Sequence, residues 1–324
     1  MNKAHTPMRS ARQGSGEAAG DRQNVAIAAV LFGSLIFALG DAIVRLVSAD
    51  LGLWQILVLR AIIVIPALVW MCRVRSRPIR LSPERAGWVS LRSALMVLMW
   101  VTYYGALLTL PVSVAASVYY TMPIFVALIA AMFIGDRIGV LGWFGVALGF
   151  VGVLLIVDPH SGGFNGYVLL PLASSLLFAV AMIVTRVKLR DEHPLAMTIN
   201  LQLGFLVIGL LASEAIYAAG GVETTTLESF FASGWKSLGR REVIVILALA
   251  AIITIGNICT AIAFQAGRSA TVATFSFSYI PFVTMWGFLF FGEVPDLRII
   301  IGIMMIVVAG ILSLRTSKKE ELSR

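Results

Sequence analysis

The stretch SVAASVYYTMPIFVALIAAMFIGD, from Ser113 to Asp136, recurs in related form later in this chain. The later copy, ATVATFSFSYIPFVTMWGFLFFGE, runs from Ala270 to Glu293. Both copies begin with small residues, pass through a polar and aromatic patch and a proline, and end on glycine and an acid after an apolar run. A two-fold internal repeat in an apolar chain is typical of secondary transporters.

An earlier pair of segments divides the chain in the same way. SLIFALGDAIVR, from Ser34 to Arg45, is similar to SLLFAVAMIVTR, from Ser175 to Arg186. We therefore predict a first repeat over residues 25–157 and a second repeat over residues 167–314.

The composition places the chain in a membrane. Hydrophobic residues make up 59% of the 324 residues and charged residues only 13%, whereas soluble domains have about 25% charged residues. Lipid can cover that much apolar surface and soluble packing cannot. The net charge of +8 comes from basic residues in short loops, which membrane topology explains better than binding to nucleic acid does.

Apolar runs long enough to cross the hydrocarbon layer, about 20 residues each, divide evenly between the two halves. We number them spans 1 to 10, at residues 25–47, 53–71, 87–110, 112–134, 138–157, 167–188, 195–219, 243–266, 271–291 and 298–314. Five spans per half is an odd number, so the second half must enter the membrane inverted relative to the first. We predict an all-α polytopic membrane protein with ten transmembrane helices as two inverted five-helix repeats.

The distribution of Lys and Arg predicts the orientation. Most of the 25 basic residues lie in residues 1–24, in every second loop and in residues 315–324. By the positive-inside rule both termini are cytoplasmic, residues 1–24 as a disordered tail and residues 315–324 as a second tail. The long loop at residues 220–242 is then outside, either as a short helix on the membrane surface or as a loosely packed loop.

Ionisable residues inside spans are the first candidates for function, because each costs about 2.5–3.5 kcal/mol at the membrane centre. Asp41 lies in span 1 and Arg60 at similar depth in span 2, and either a substrate or coupling role or a structural ion pair explains them. Asp41 has two candidate partners, Arg60 across the helix pair and Arg45 one turn away. Arg92 lies near the inner end of span 3 and is expected to reach the cytoplasmic headgroups.

Polar and aromatic residues at helical spacing predict a cavity between the halves, because lipid cannot satisfy their polar groups. Small hydroxyls often only join helices, so singly they are weak candidates. The residues that we predict to bind substrate are Arg60, Trp100, Tyr104, Tyr120, Asn257, Ser278 and Tyr279, and Asp41 is the leading candidate for coupling to protons.

Two prolines interrupt equivalent spans. Pro123 lies in span 4 and Pro281 in span 9, and each removes a backbone hydrogen bond and favours a kink. The kinks suit helices that open and close a cavity, although a static bend explains them equally well.

Sequence motifs of catalysis and of energy transduction are absent from the chain. It has no G-x-x-x-x-G-K-[ST] phosphate loop, no H-E-x-x-H and no G-x-S-x-G, which argues against ATP-driven pumping and against hydrolysis. Its two cysteines lie far apart and its three histidines fall outside the apolar runs. We therefore expect neither an enzyme, nor a cofactor, nor a metal site.

The chain resembles the EamA-type transporters of the drug/metabolite transporter superfamily, over nearly all of residues 25–315. The matching features are Gly135-Asp136 and Gly292-Glu293, which close the two copies, LPVSVAAS (Leu110 to Ser117), VLRA (Val58 to Ala61) and LRSA (Leu91 to Ala94). The first acid is Asp136 where the family usually has Glu. The subgroup features, ALGDA in span 1 and LRA in span 2, are similar to riboflavin and S-adenosylmethionine carriers.

The resemblance implies a ten-helix secondary transporter that moves a small polar organic metabolite across the bacterial inner membrane by alternating access. Riboflavin or a similar heteroaromatic metabolite is the specific expectation, and an amino acid or S-adenosylmethionine is the alternative substrate. A non-transporting membrane subunit and a membrane-embedded enzyme are the alternatives of a different class. The expected partners are a small-molecule metabolite and the lipid bilayer, without nucleic acid, and a homodimer remains an alternative to the monomer.

Overall fold

The computed structural model describes residues 8–74, 83–133, 140–157, 165–189, 192–218, 227–266, 272 and 275–321. Within these ranges the chain is built from helices and contains no strand. The helices are Met8–Val47, Leu53–Val74, Ala86–Thr109, Val112–Tyr119, Met122–Phe133, Val140–Val157, Leu169–Lys188, Pro194–Ala218, Leu227–Ala232, Arg240–Ala266, Tyr279–Phe291 and Leu297–Glu321. Short 3-10 turns at Pro83–Arg85 and Gly166–Val168 precede two of them.

The helices follow the ten predicted spans in order. Among the described residues, seven helical stretches are long and apolar enough to cross a membrane, and three shorter apolar helices occur at spans 5, 9 and 10. In hydrocarbon only helices or closed barrels satisfy every backbone group, and the described chain uses helices throughout. The prediction of an all-α polytopic membrane protein is confirmed.

The first helix begins earlier than the sequence predicted. It starts at Met8, so residues 8–24 are helical where we expected a disordered tail. Alanine, glutamate, arginine and glutamine in this stretch all have high helix propensity, which the polar composition alone does not reveal. The boundaries of the two repeats stay a prediction.

Equivalent spans of the two halves pack against each other in opposite directions. Val112, at the beginning of span 4, donates its backbone N–H to the Glu293 carboxylate just beyond the end of span 9, at 2.9 Å. In spans 5 and 10, Gly149 lies against Ala309 while Gly152, further along, lies against Gly302. Antiparallel contact between equivalent helices is what an inverted repeat requires. Asp136, which the repeat pairs with Glu293, lies outside the described residues.

The packing of spans of one half on spans of the other half follows the same symmetry. Span 1 packs on span 8 and span 9, and its equivalent, span 6, packs on span 3 and span 4. Span 2 packs on its own equivalent, span 7. Each half therefore closes over the other rather than forming a separate bundle.

Among the described residues, the buried apolar clusters differ between the two ends of the bundle. We call the end at which spans 1, 3, 7 and 9 finish the Glu293 end, and the opposite end the Arg85 end. The largest buried apolar cluster extends to the Glu293 end and includes Val47, Leu51, Leu107, Leu110, Val112, Val168 and Phe230. The buried clusters nearer the Arg85 end are small, such as Val89 with Leu189 and Met197.

A short helix, Leu227–Ala232, covers part of the Glu293 end. Phe230 is buried, and the indole N–H of Trp54 donates to the carbonyl of Phe231 at 2.7 Å. The Gln55 amide exchanges two hydrogen bonds with the backbone of Lys236, at 2.8 and 3.1 Å. The expected short helix is therefore present, but it is anchored between spans 2 and 3 and does not lie free on the membrane surface.

Replacement of Gly302 by leucine should destabilise the contact between spans 5 and 10. Gly302 lies against the backbone of Gly152 and the side chain of Ile156, and small residues at such contacts let membrane helices approach closely. Forcing a larger side chain into this contact costs about 1–3 kcal/mol. We expect a lower unfolding temperature of the purified protein in detergent. Gly87→Leu is the matched control, because a side chain at Gly87 meets no atom nearby, and equal unfolding temperatures for the two variants would contradict the packing described.

Candidate functional site

Spans 4 and 9 are both broken in the middle of the bundle. In span 4 the helix ends at Tyr119 and a new helix begins at Met122. In span 9 the last helix begins at Tyr279. Each new helix has a proline at its second or third residue, Pro123 or Pro281, where a missing N–H is tolerated. The predicted kinks are therefore helix breaks, and they occur at equivalent places in the two halves.

The two breaks face each other. The rings of Tyr120 and Tyr279 stack with centroids 5.2 Å apart and an angle of 17° between their planes. The Tyr120 hydroxyl donates to the backbone carbonyl of Ser276 at 3.2 Å. A carbonyl close to the break is thus bound by a side chain of the other half, as backbone groups at membrane depth require.

Asp41 lies beside these breaks and is only 6% exposed. Its Oδ2 accepts a hydrogen bond from the Tyr103 hydroxyl at 3.0 Å and another from the Tyr279 hydroxyl. The two hydroxyl oxygens are 3.2 Å apart. Tyrosines of spans 3 and 9 therefore hold the carboxylate of span 1, and Asp41 joins both halves at one point.

Neither ion pair expected for Asp41 forms. Arg45 pairs instead with Glu293. Arg60 is near enough to Asp41 to interact electrostatically, but among the described residues the two form no contact ion pair. The nearest neighbour of the Arg60 charge is the Tyr104 hydroxyl, which accepts a hydrogen bond from Nη1 at 2.9 Å.

An aromatic cluster surrounds the two charges. We use this name for Trp100, Tyr103, Tyr104, Tyr119, Tyr120 and Tyr279. Trp100 lies 5.3 Å from Tyr104 between ring centroids, and Tyr103 lies 4.9 Å from Tyr119. Trp100, Tyr119 and Tyr120 are only partly buried, so the cluster has both a packed side and an accessible side.

The structure brings together six of the eight residues predicted for the site, namely Asp41, Arg60, Trp100, Tyr104, Tyr120 and Tyr279. Ser278 is the neighbour of Tyr279, and its hydroxyl is buried without a hydrogen-bond partner among the described residues. Asn257 is partly buried, and its side chain makes no hydrogen bond to a described residue. It lies one helical turn beyond Ile253, which packs against span 2, and its role stays a prediction.

Sequence reasoning left three residues of this region out of the predicted site. Tyr103 binds Asp41, the ring of Tyr119 packs at a tilt against that of Tyr103, and Phe205 of span 7 faces Arg60 at 5.1 Å. Tyr103 follows Trp100 by three positions, so helical spacing already put it on the same side of span 3. Phe205 lies in a uniformly apolar run and gave no signal.

Most hydroxyls within the spans are satisfied by their own helix. Ser117, Ser213 and Thr254 each donate to the carbonyl four residues earlier, at 2.6 to 2.8 Å, as is usual for Ser and Thr in helices. By contrast, the hydroxyls of Ser93 and Ser278, the Gln202 carbonyl oxygen and the Nε of Arg60 are buried with no partner in the described chain. Buried polar atoms of this kind need water or a ligand.

The Glu293 end is closed by a charged contact as well as by apolar packing. Glu293 pairs with Arg45 through one carboxylate oxygen and accepts the Val112 N–H through the other. The Arg45 guanidinium also lies over the Phe291 ring, 4.4 Å from its centroid. The contact joins spans 1, 4 and 9, which are the three helices that carry Asp41, Tyr120 and Tyr279.

The arrangement suits the binding of a small polar ligand with a ring. Aromatic faces offer stacking, Asp41 accepts hydrogen bonds, and Arg60 donates them. The described residues contain no group of three His, Cys, Asp or Glu side chains able to hold a metal ion. The site therefore has the chemistry of recognition by stacking and hydrogen bonding.

Comparisons with known proteins agree with this description. A family model described as the EamA-like transporter family matches residues 24–158. A pseudopaline exporter of Pseudomonas aeruginosa is 28% identical over 286 residues, 88% of this chain and 94% of the exporter. A riboflavin transporter of Rhizobium johnstonii is 28% identical over 230 residues, 71% of this chain and 69% of that protein. An S-adenosylmethionine uptake transporter of Rickettsia felis is 22% identical over 230 residues, 71% of this chain and 72% of that protein.

A solved crystal structure of a related fold was also found. It has a TM-score of 0.58 and 17% identity, and the match covers 93% of this chain and 99% of that one. This likeness shows a shared fold alone. The resemblance to EamA-type transporters drawn from the sequence is confirmed, as is the expectation of transport rather than catalysis.

Removal of the charge on Glu293 should loosen the closed end. Charge-assisted hydrogen bonds are worth about 1.5–3 kcal/mol, so Glu293→Gln should raise the open fraction at this end about tenfold. We would measure it as the rate at which a maleimide labels Val114→Cys, a buried position, in a background without the two native cysteines. Asp50→Asn is the control, because it breaks the exposed pair with Arg241 at the same end. Equal labelling rates in both variants would mean that the Arg45 contact does not hold this end closed.

Proposed function

We propose that this chain, whose residues 24–158 match the model of the EamA-like transporter family, moves a small polar organic metabolite across the bacterial inner membrane by alternating access. The facing breaks of spans 4 and 9 are the observation that carries the proposal. Discontinuous helices that meet near the midplane between inverted repeats are typical binding sites of secondary transporters. The metabolite binds against the aromatic cluster, between the two halves.

The substrate is a planar heteroaromatic metabolite, with riboflavin as the first candidate. The stacked pair of Tyr120 and Tyr279 and the adjacent Trp100 supply ring faces on which a flat ligand can replace a ring-to-ring contact. The riboflavin transporter of Rhizobium johnstonii is one of the relatives with 28% identity. This similarity supports the proposal.

An amino acid or S-adenosylmethionine is the second candidate substrate. The observation that favours it is the presence of a carboxylate, Asp41, and a guanidinium, Arg60, in one buried region without a direct ion pair between them. A ligand with charges of both signs complements such a pair. The S-adenosylmethionine uptake transporter of Rickettsia felis is a relative of lower identity.

We infer that the described state is closed on the outer side. With both termini cytoplasmic, the Glu293 end faces the periplasm, and its tight packing and the Arg45–Glu293 contact block that side. Spans 4 and 9 turn about their breaks when the cavity changes sides. Transport requires the Arg45–Glu293 contact to open.

Asp41 couples transport to protons. Its carboxylate faces the hydroxyls of Tyr103 and Tyr279 and the more distant charge of Arg60. It is the one acid deep within a described span, and proton relays in membrane transporters use such residues. A proton on Asp41 converts an acceptor into a donor, so its bonds to the two tyrosines must rearrange.

Substitutions in the aromatic cluster should weaken the apparent affinity for riboflavin, measured by counterflow of the labelled compound in proteoliposomes. Loss of a stacking face costs about 0.5–1.5 kcal/mol beyond the lost area, so Tyr120→Ala and Trp100→Ala should each weaken apparent affinity about tenfold. Trp143→Ala is the matched control, because this tryptophan of span 5 is 55% exposed on the outer surface of the bundle.

The same assay tests Asn257 and the other classes of function. Wild-type rates in both Trp100→Ala and Asn257→Ala would refute the site, whereas loss in Trp100→Ala alone would place Asn257 outside it. A protein that neither transports nor binds any metabolite would be the non-transporting subunit or the membrane enzyme. The oligomeric state, monomer or homodimer, is independent of this result.

Neutralisation of Asp41 should separate exchange from proton coupling. Asp41→Asn keeps the shape of the site and removes its titration, so we expect counterflow to persist while accumulation driven by an imposed pH gradient disappears. Asp50→Asn, at an exposed position outside the site, should keep both activities. Gradient-driven accumulation in Asp41→Asn would assign coupling to another group.

A further inference from the structure

Arg60 is a buried cation with neutral neighbours. It is 2% exposed, in the middle of span 2. Its Nη1 donates to the Tyr104 hydroxyl at 2.9 Å, and its guanidinium carbon lies 5.1 Å from the centroid of the Phe205 ring. Its Nε is buried and has no hydrogen-bond partner in the described chain.

No acid of the described chain forms a contact ion pair with Arg60. The contact ion pairs found there join Arg45 to Glu293, Arg85 to Glu192 and Arg241 to Asp50. Asp41 is the nearest acid to Arg60, but its Oδ2 is occupied by Tyr103 and Tyr279. Arg60 therefore has Coulombic support from Asp41 without a carboxylate in contact with it.

This arrangement differs from that of the other arginine within a span. Arg92 also has an unpartnered nitrogen, Nη1, but it lies near the Arg85 end, and its Nε points to the Thr185 hydroxyl at 3.3 Å. A long side chain close to a helix end can reach the headgroups. Arg60 has no such route, because it is in mid-span and enclosed by the aromatic cluster and Phe205.

A guanidinium in a low-dielectric interior binds anions strongly. Its N–H groups form a planar fork that matches the two oxygens of a carboxylate or a phosphate. The free Nε–H of Arg60 is one arm of that fork. A ring face at Phe205 contributes cation–π attraction but leaves this N–H unused.

We propose that Arg60 is the docking point for an anionic group, a carboxylate or a phosphate, on the transported metabolite. The ring of the metabolite stacks in the aromatic cluster while its anionic group binds the guanidinium. This inference rests on the proposed transport function and narrows its substrate class. Among metabolites of the same candidate class, one with an anionic group therefore binds more tightly than a similar metabolite without that group.

Benzoate and benzamide test the anion site without knowledge of the substrate. Both are flat rings of the same shape, and only benzoate carries a charge. Benzoate should raise the unfolding temperature of the purified wild-type protein more than benzamide does at equal concentration. The difference should vanish in Arg60→Gln and persist in Arg92→Gln. No advantage of benzoate in the wild type, or an advantage that survives in Arg60→Gln, would overturn the proposal.

Arg60→Lys is a second variant, which tests the site if Arg60→Gln does not fold. Lysine keeps the charge but lacks the planar fork, so benzoate protection should be reduced and not lost. If neither variant folds, the proposal is still overturned when benzoate has no advantage over benzamide in the wild type, or when Arg92→Gln abolishes that advantage.

Matched metabolites separate this inference from the proposed function. Binding to wild type would be measured for riboflavin and its 5′-phosphate, for tryptamine and tryptophan, and for decarboxylated and intact S-adenosylmethionine. The anionic member of the pair that binds should bind about tenfold or more tightly than its counterpart. Equal affinity within a bound pair would refute the anion site and leave the transport proposal standing. Protection by benzoate through Arg60 with no pair bound would refute the proposed substrate classes and leave the anion site standing.

Discussion

Every backbone N–H and C=O group within hydrocarbon needs a hydrogen-bond partner inside the protein. The helices of spans 4 and 9 break at a depth where such partners are hardest to supply. The chain meets it by placing the two breaks against each other. Tyr120 binds the Ser276 carbonyl with its hydroxyl and stacks on Tyr279 with its ring. The break of one half is thus stabilised by a side chain of the other, so neither half would be stable with its break exposed to lipid.

The same contact brings the charged residues to the centre. Tyr279 reaches Asp41 of span 1 with its hydroxyl, and Tyr103 reaches the same oxygen from span 3. A buried carboxylate is costly without several hydrogen bonds. Because Asp41 receives these bonds from spans 3 and 9, they fix the positions of spans 1, 3 and 9 relative to one another. Arg60 is fixed separately, by Tyr104 and Phe205. The charges are therefore close but not joined, and both remain open to a ligand or a proton.

Local periodicity in the sequence predicted the parts of this site that lie on single helices. Trp100 and Tyr104 share a face by helical spacing, and the repeat itself indicated that spans 4 and 9, which carry Tyr120 and Tyr279, are equivalent. Contacts between distant helices were not accessible in this way. Spacing of four residues allowed a pair of Asp41 with Arg45, whereas the packing of the two halves pairs Arg45 with Glu293. The burial of Phe230 depends on a gap between spans 2 and 3 that no periodicity reveals.

The separation of Asp41 from Arg60 bears on how an anion and a proton can be coupled. Arg60 is the nearest cation to Asp41 and supports its negative charge through space. An anion bound to Arg60 would cancel that support and bring a second negative charge near the carboxylate, which favours proton uptake by Asp41. Linkage is reciprocal, so a proton on Asp41 would strengthen binding of the anion by the same free energy. A direct ion pair would have tied up both groups, and the tyrosines that hold them apart are what make such coupling physically available.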